Sequence, residues 1–143
     1  MNDRYLFRAK RIDNGEWVVG KLFDDGFENG RIFVGGLVIE EYHGTACDKW
    51  DITGMDFYEA DPSTVCQCTG FKDNYGKLIW ENDIVVTVYD GNQNPNYVVI
   101  WDKDDLGFLA TNGKECYETN CEYLGCCEEI EVIGNIFDNP ELL

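Results

Sequence analysis

Short apolar runs separated by turn residues are the feature that most constrains this chain. The stretch Gln67–Tyr89 shows the pattern: a turn sequence, Lys72-Asp73-Asn74-Tyr75-Gly76, precedes an unbroken apolar run from Ile84 to Tyr89. Runs of β-branched and aromatic residues bounded by Gly, Asn and Asp predict strands. The same punctuation recurs on both sides of this stretch. We therefore expect a mostly β protein.

The first 60 residues are predicted to form a β-hairpin region followed by a connection. Arg4–Ile12 alternates apolar and basic side chains, as a half-buried strand does, and Asp13-Asn14-Gly15-Glu16 is a tight-turn sequence before a returning strand, Trp17–Phe23. Two further apolar runs flank Gly35-Gly36, where we expect a bend or bulge. Residues 43–66 carry mostly acidic charge and are interrupted by Gly44, Gly54 and Pro62, which indicates a connecting segment in which Met55–Tyr58 forms either a short strand or a helical turn.

Residues 61–143 are predicted to form a second domain, a small β-barrel, although the two parts could also be one integrated unit. Closing five short strands on themselves would remove the exposed edges that trouble a small β domain. Turn residues separate the five candidate strands, which are Leu78–Trp80, Ile84–Tyr89, Tyr97–Trp101, Phe108–Thr111 and Ile130–Ile133.

The charge distribution limits the classes of partner. The net charge is −17, and residues 32–143 carry all of it, with five basic and twenty-two acidic residues. A surface this negative repels phosphate backbones, so we expect no direct binding of nucleic acid. The basic strand Arg4–Ile12 could instead meet the acidic surface of a neighbouring copy, which predicts a homo-oligomer.

The chain shows neither a signal peptide nor an apolar run near the length of about 20 residues that a membrane span needs. We therefore expect a cytoplasmic protein that has no contact with membranes. In that compartment the seven cysteines would be reduced thiols.

Two pairs of residues could carry catalytic chemistry. Glu81 and Asp83 could form a pair of carboxylates, but Asp83 also suits hydrogen bonds to backbone amides at the start of a strand. His43 and Cys47 are the only neighbouring His and Cys, and nothing in the sequence supports them as a catalytic pair. We therefore expect no catalytic residues and no cofactor.

The cysteines give the one metal hypothesis. Structural zinc sites use ligand pairs spaced by two to four residues, and neither Cys66-Gln67-Cys68 nor the later group has that spacing. Buried free thiols that pack as small apolar groups are the favoured explanation. The alternative is a metal site built from the late cysteines, which are Cys116, Cys121, Cys126 and Cys127.

Two blocks of sequence resemble the YopX family of phage and prophage proteins, whose biochemical activity is not established. The first block is Thr64–Val85, and the second is the terminal stretch Glu131–Leu143; Phe7-Arg8-Ala9 also resembles the first strand of the family. The resemblance implies a mostly β protein, encoded by a phage or prophage, whose C-terminal half is an SH3-like barrel.

Within these blocks we interpret eight residues as structural turn positions. Two departures from the family pattern bear on this region. Asn82 replaces the usual glycine, and asparagine is the next best residue at positive φ. Cys66 and Cys68 stand where the family has a small and an aromatic residue. The turn positions are Gly70, Asp73, Gly76, Asn82, Asp83, Gly134, Asn135 and Pro140.

Three hypotheses for function follow. The first is a non-enzymatic phage or prophage accessory protein that acts by protein–protein binding or homo-oligomerisation. The second, motivated by the net charge, is an acidic mimic of DNA that inhibits a host nucleic-acid-binding protein. The third is a metal-binding protein or enzyme that uses the late cysteines.

Overall fold

The computed structural model describes residues 2–28, 30–41, 50–112 and 121–143, and of Cys121 only the backbone. Within these ranges the regular elements are β-strands and 3₁₀ turns of three residues. The prediction of a mostly β protein is confirmed. No helix in the described ranges has the length and apolar character needed to cross a membrane.

The chain divides into two compact units. The N-terminal unit comprises Tyr5–Val65, and the C-terminal unit comprises Met1–Arg4 together with Cys66–Leu143. The boundary between Val65 and Cys66 lies a few residues after the division at 60/61 that the sequence indicates.

The N-terminal unit is built on an antiparallel sheet in the order β4-β3-β2-β1. Gly15, at φ 72°, turns the chain from β1 into β2, and its amide donates to the carbonyl oxygen of Arg11 at 2.9 Å. The strands are β1 (Phe7–Lys10), β2 (Trp17–Asp24), β3 (Ile32–Glu41) and β4 (Trp50–Ala60).

The core of this unit lies on one face of the sheet. Ala9, Val34 and Ala60 are fully buried there. An isolated bridge between Arg11 and Ala60 also joins the end of β4 to the chain just after β1. The half-buried residues that pack against this core are Val18, Leu22, Ile32 and Val65.

Two expectations for this region are wrong. β3 runs without interruption through Gly35-Gly36, where a bend was expected. β4 occupies residues 50–60, where most of the sequence was interpreted as a connection. The register of β3 and β4 explains the second error. It pairs Val38 with Gly54 and Ile39 with Ile52, so Thr53 is the extra residue of a β-bulge. A bulge breaks the two-residue alternation by which a strand is recognised.

The C-terminal unit contains a five-stranded antiparallel sheet in the order β11-β10-β9-β7-β12, with β8 paired to β7, and a separate pairing of β5 with β6. The strands are β5 (Cys66–Lys72), β6 (Leu78–Trp80), β7 (Asp83–Tyr89), β8 (Asn92–Gln93), β9 (Tyr97–Asp102), β10 (Gly107–Thr111), β11 (Cys121–Tyr123) and β12 (Glu129–Asn135).

The core of the C-terminal unit is apolar and continuous. Its largest fully buried side chains include Tyr97, Ile79 and Val85. In the described part of the chain the five-stranded sheet is open, with β11 and β12 at its two ends, so the predicted closure into a barrel is not found. β12 pairs with β7 along one edge, and on its other edge the amides of Ile130 and Val132 donate to Asn74 Oδ1 at 3.1 Å and to Asp73 Oδ2 at 3.2 Å, so that edge is already occupied. Glu129 and Glu131 are exposed on this end strand, and charged side chains discourage edge-to-edge pairing.

Candidate functional site

Asp73 is the centre of a hydrogen-bonded turn inside the C-terminal unit. Its Oδ1 accepts from the amides of Tyr75 and Lys77, both at 2.9 Å, and its Oδ2 accepts from the amide of Val132 at 3.2 Å. The residue is only 7% exposed. This carboxylate therefore ties the turn before β6 to strand β12, which lies far along the chain.

The electrostatics of Asp73 match that structural role. Burial alone would raise the pKa of its carboxyl, but the amides of Lys77, Val132 and Tyr75 stabilise the charged form and hold the pKa below its usual range. A general acid or base needs the opposite, a pKa near the working pH. The charge of Asp73 is used to hold backbone amides together.

Glu81 and Asp83 do not act as a pair of free carboxylates. Glu81 Oε2 accepts from the amide of Gln67 at 2.8 Å, and Asp83 Oδ2 accepts from the amide of Trp80 at 2.8 Å. Asp83 is 1% exposed. Each carboxylate thus satisfies a backbone donor near the start of β7, in the manner of a turn-stabilising residue.

Asn82 occupies the positive-φ position between them, at φ 65°. Its backbone amide donates to the carbonyl oxygen of Val99 at 2.8 Å, and its carbonyl oxygen accepts from the amide of Ile136 at 3.0 Å. Its side-chain amide reaches the sulfur of Cys66 at 3.5 Å. This one residue therefore links β9 and the terminal stretch to the start of β7.

The terminal stretch is held by a second turn. Asn135 Oδ1 accepts from the amides of Phe137 and Asp138, both at 3.0 Å, and Pro140 begins a short 3₁₀ turn. A Cβ on Gly134 would lie 2.6 Å from Asn139 Oδ1, so only glycine fits this position without movement. Both blocks that carry the family resemblance thus form the turns of this unit.

The two remaining turn glycines, Gly70 and Gly76, adopt the left-handed backbone conformation, at φ 82° and 83°. A Cβ at Gly70 would also lie 2.6 Å from Cγ of Arg4. Residues that have a side chain rarely adopt this backbone conformation, which accounts for glycine at both positions.

The four cysteines whose side chains the structure describes differ in exposure. Cys66 and Cys68 are fully buried, whereas Cys126 is exposed. Cys127 is half-buried, and its thiol donates to the carbonyl oxygen of Tyr123 at 3.5 Å. Among the described residues, no three His, Cys, Asp or Glu side chains are grouped in a way that could hold a metal ion. Cys116, the side chain of Cys121, and the pair His43 and Cys47 lie outside the described residues.

These environments predict a difference in thiol reactivity. Burial raises the pKa of Cys127 to about 12, and the Glu122 carboxylate adds to the rise. Only the thiolate is a good nucleophile. We expect iodoacetamide at pH 8 to alkylate Cys126 while it spares Cys127, Cys66 and Cys68, as read by tandem mass spectrometry of peptides. In urea all four cysteines should react. If iodoacetamide alkylated Cys127 of the folded protein at the same rate as Cys126, the prediction would be wrong.

The N-terminal unit exposes a group of large apolar side chains on the sheet face opposite its core. The distal halves of β3 and β4, residues 37–41 and 50–56, form a two-stranded ribbon that we call the arm. Most residues of the arm are exposed on both sides. One face of the arm and of the adjoining sheet, which we call the arm face, carries eight large apolar side chains, which are Phe23, Phe33, Leu37, Ile39, Trp50, Ile52, Met55 and Phe57.

The register and the contacts agree on this face. Phe23 is paired with Phe33, Leu37 with Met55, and Ile39 with Ile52, so each pair lies on the same side of the sheet. The rings of Phe23 and Phe57 meet edge to face, with centroids 4.8 Å apart. A groove of about 430 Å³ opens on this side, lined by Phe23, Phe33, Leu37, Met55 and Phe57.

This surface does not follow from the alternation pattern of the sequence. Its residues fall partly in the segment interpreted as a connection, and the bulge at Thr53 conceals their common direction. Met55 and Phe57 are odd-numbered, whereas Trp50 and Ile52 are even-numbered, so simple alternation assigns them to opposite faces. The signal that could have revealed this surface is that the apolar residues change from even-numbered to odd-numbered positions within one β-rich segment.

The comparisons with known proteins give one result about identity. A search of curated proteins found no match. The family model described as YopX protein matches residues 6–143. The match covers nearly the whole chain, including both blocks on which the resemblance rests, so this chain belongs to the YopX family.

Proposed function

We propose that this chain is a non-enzymatic accessory protein of a phage or prophage that acts by binding a protein through the arm face. The observation that carries the proposal is the exposure of large apolar side chains on a face that the core does not use. Exposed apolar patches larger than those of ordinary monomers mark interaction sites. An SH3-like arrangement of residues 61–143 is part of the same proposal, and family membership supports it.

Three carboxylates of the C-terminal unit have backbone partners. Asp73, Glu81 and Asp83 each accept hydrogen bonds from backbone amides. A catalytic pair would instead direct its oxygens at a substrate within hydrogen-bonding reach. These residues stabilise the C-terminal unit, whereas the apolar side chains of the arm face are exposed.

The basic first strand supports binding less well than the arm face does. The Arg11 side chain donates to Asp13 at 2.9 Å, and its guanidinium lies 3.8 Å from the ring centre of Tyr58. Arg8 lies over the ring of Trp17 at 4.7 Å. These cations already have partners in their own unit, so recruiting them to another protein would break existing contacts.

The experiment compares two neighbouring positions on opposite faces of the arm. Leu37 lies on the arm face, whereas Val38 lies on the other face, and both are exposed. Tagged wild type, Leu37→Lys and Val38→Lys would be captured from phage-infected host cells, and bound proteins would be quantified by mass spectrometry. We expect wild type and Val38→Lys to retain the same stoichiometric partner and Leu37→Lys to lose most of it. Equal capture by both variants would refute the proposal.

The other two hypotheses remain open to direct tests. A DNA mimic would bind its basic target more weakly as salt rises, because that binding depends on charge. A metal-binding function would require a stoichiometric metal after purification without chelators, held by residues that include Cys116. Neither hypothesis uses the arm face, so the two lysine variants would leave both activities unchanged.

A further inference from the structure

We propose that the occupant of the arm face is a second copy of this chain, packed on it face to face about a two-fold axis. The inference rests on the proposed function and names its partner. Three properties of the arm face support it: its area, the absence of charge at its centre, and the presence of a projection and a groove on the same surface.

The area is sufficient for a dimer. The exposed fractions of the arm-face residues Phe23, Leu37, Ile39, Trp50, Ile52 and Met55 range from 44% to 71%. These residues together present roughly 600 Å² of apolar surface, because a large side chain offers on the order of 150–250 Å² when fully exposed. A stable interface buries about 800 Å² per partner. The apolar side chains alone therefore supply about three-quarters of the area that one partner buries.

Charged side chains on this face lie at its margins, where Glu41 is paired with Trp50, Glu59 with Phe33 and Lys21 with Gly35. Between Phe33 and Ile39 on β3, and between Ile52 and Phe57 on β4, the positions on the arm face carry no charged side chain. Asp51 and Asp56 lie on the opposite face, because the bulge at Thr53 changes the phase of β4 between them. Without the bulge, alternation would place Asp51 on the apolar side.

This segregation favours a copy of the chain over a basic partner. A basic protein would be recognised by carboxylates at the centre of the surface, and here the centre is apolar, with Glu41 and Glu59 only at its margins. Two copies that each carry a charge of −17 repel one another, so they can associate closely only where charge is absent. The arm face supplies such a region and supplies apolar surface on both partners.

The arm face is also complementary to itself. Trp50 is 65% exposed near the outer end of the arm, and the groove lined by Leu37, Met55 and Phe57 lies nearer the core. The two features are about five residues apart on one strand, or roughly 17 Å. In an antiparallel pair of arms, each Trp50 would enter the groove of the other copy. This reciprocal contact is what a two-fold interface requires.

The arm needs such cover for its own stability. A two-stranded ribbon alone is only marginally stable in water. Beyond the end of its pairing with β2, the β3–β4 ribbon exposes Ile39, Trp50 and Ile52 to solvent. Packing against a second arm would make four strands in two layers, with apolar side chains interdigitated between them.

Sedimentation equilibrium of the purified full chain tests the inference. The chain would be studied with a reductant, so that no disulfide links copies, at 50 mM and 500 mM NaCl. We expect a monomer–dimer equilibrium that tightens severalfold at high salt, because screening weakens the repulsion between acidic copies while the apolar contact remains. A wild type that stays monomeric at 100 μM in both salts would overturn the inference.

Matched variants locate the interface. Leu37→Lys should weaken the dimer by about 100-fold, since a buried ammonium is introduced twice, once from each copy. Val38→Lys adds the same charge at the next residue, on the other face, and should dimerise like wild type. Trp50→Ala changes an exposed side chain, so its monomer should fold normally, and it should lose at least tenfold in dimer affinity. Equal effects of Leu37→Lys and Val38→Lys would refute the assignment.

The test of the dimer and the test of the proposed function can give different outcomes. A monomeric wild type whose capture of a host or phage protein still depends on Leu37 would leave the proposed function intact and refute the second copy. A dimer that Leu37→Lys leaves intact, together with capture that ignores both lysine variants, would refute both.

Discussion

Replacing Asp73 with alanine is expected to destabilise the C-terminal unit by about 3 kcal/mol. Hydrogen bonds to a charged acceptor are worth about 1.5–3 kcal/mol each, and the substitution leaves a buried backbone amide without its acceptor. The amide of Val132 points at Asp73 Oδ2 from within strand β12. The amides of Tyr75 and Lys77 would also lose their acceptor. Urea denaturation followed by circular dichroism measures the effect, and hydrogen exchange at Val132 locates it.

Asp102→Ala is the matched control for the loss of one carboxylate. Asp102 Oδ1 also accepts from two backbone amides, those of Asp104 and Asp105, but at the exposed turn between β9 and β10. Water can replace it there, so the cost should stay below about 1 kcal/mol. If Asp73→Ala costs no more than this control, the anchoring role is wrong.

The pH dependence of the Asp73 contribution has a definite sign. Its hydrogen bonds hold the folded-state pKa below the usual value. The stabilisation is therefore complete above the pKa of an unfolded aspartate, about 3.9, and is lost as pH falls through the lower folded value. The difference in stability between wild type and Asp73→Asn should narrow below about pH 4. A constant difference from pH 7 to pH 3 would contradict this assignment.

Gly35→Ala is expected to destabilise the N-terminal unit by about 3 kcal/mol, because overpacking that moves the backbone usually costs 1–3 kcal/mol and sometimes more. Gly35 pairs with Lys21 on one side and Phe57 on the other. A Cβ on Gly35 would overlap the carbonyl oxygen of Asp56, and a Cβ on Gly20 would lie 2.5 Å from the carbonyl oxygen of Gly35. Three backbones meet here at a spacing that excludes side chains.

The neighbouring glycine provides the control. A Cβ on Gly36 would meet no atom within 4 Å. Gly36→Ala should therefore be neutral or stabilise by up to about 1 kcal/mol, since alanine loses less conformational freedom on folding than glycine does. Thermal unfolding of the two variants checks the pair, and equal midpoints would show that the close approach at Gly35 has no energetic consequence.

Much of the C-terminal unit could be predicted from sequence because its signals are local. The candidate strand Ile84–Tyr89 lies within β7, and Tyr97–Trp101 lies within β9. The acceptor role of Asp83 toward the amide of Trp80 spans three residues. A hydrogen bond of that span follows from the order of residue types in one turn, without knowledge of the rest of the fold.

Contacts between distant parts of the chain could not be predicted in the same way. The bond from the Val132 amide to Asp73 joins residues 59 apart. The open order of the five-stranded sheet depends on which strand pairs with β7, and apolar patterning is compatible with several choices. Evenly spaced strands suggested closure, but spacing along the chain does not determine which edges meet.

The amino-acid sequence by itself determined the β character of this protein, its membership of the YopX family and the positions of its principal turns, because alternation and turn chemistry act over a few residues. Only the tertiary structure decided where the apolar surface lies. The register of β3 and β4, with Thr53 as the extra residue, turns Trp50 and Ile52 to the side of Met55 and Phe57. A shift of one residue reverses every side chain beyond it, so the arm face exists only once that register is set.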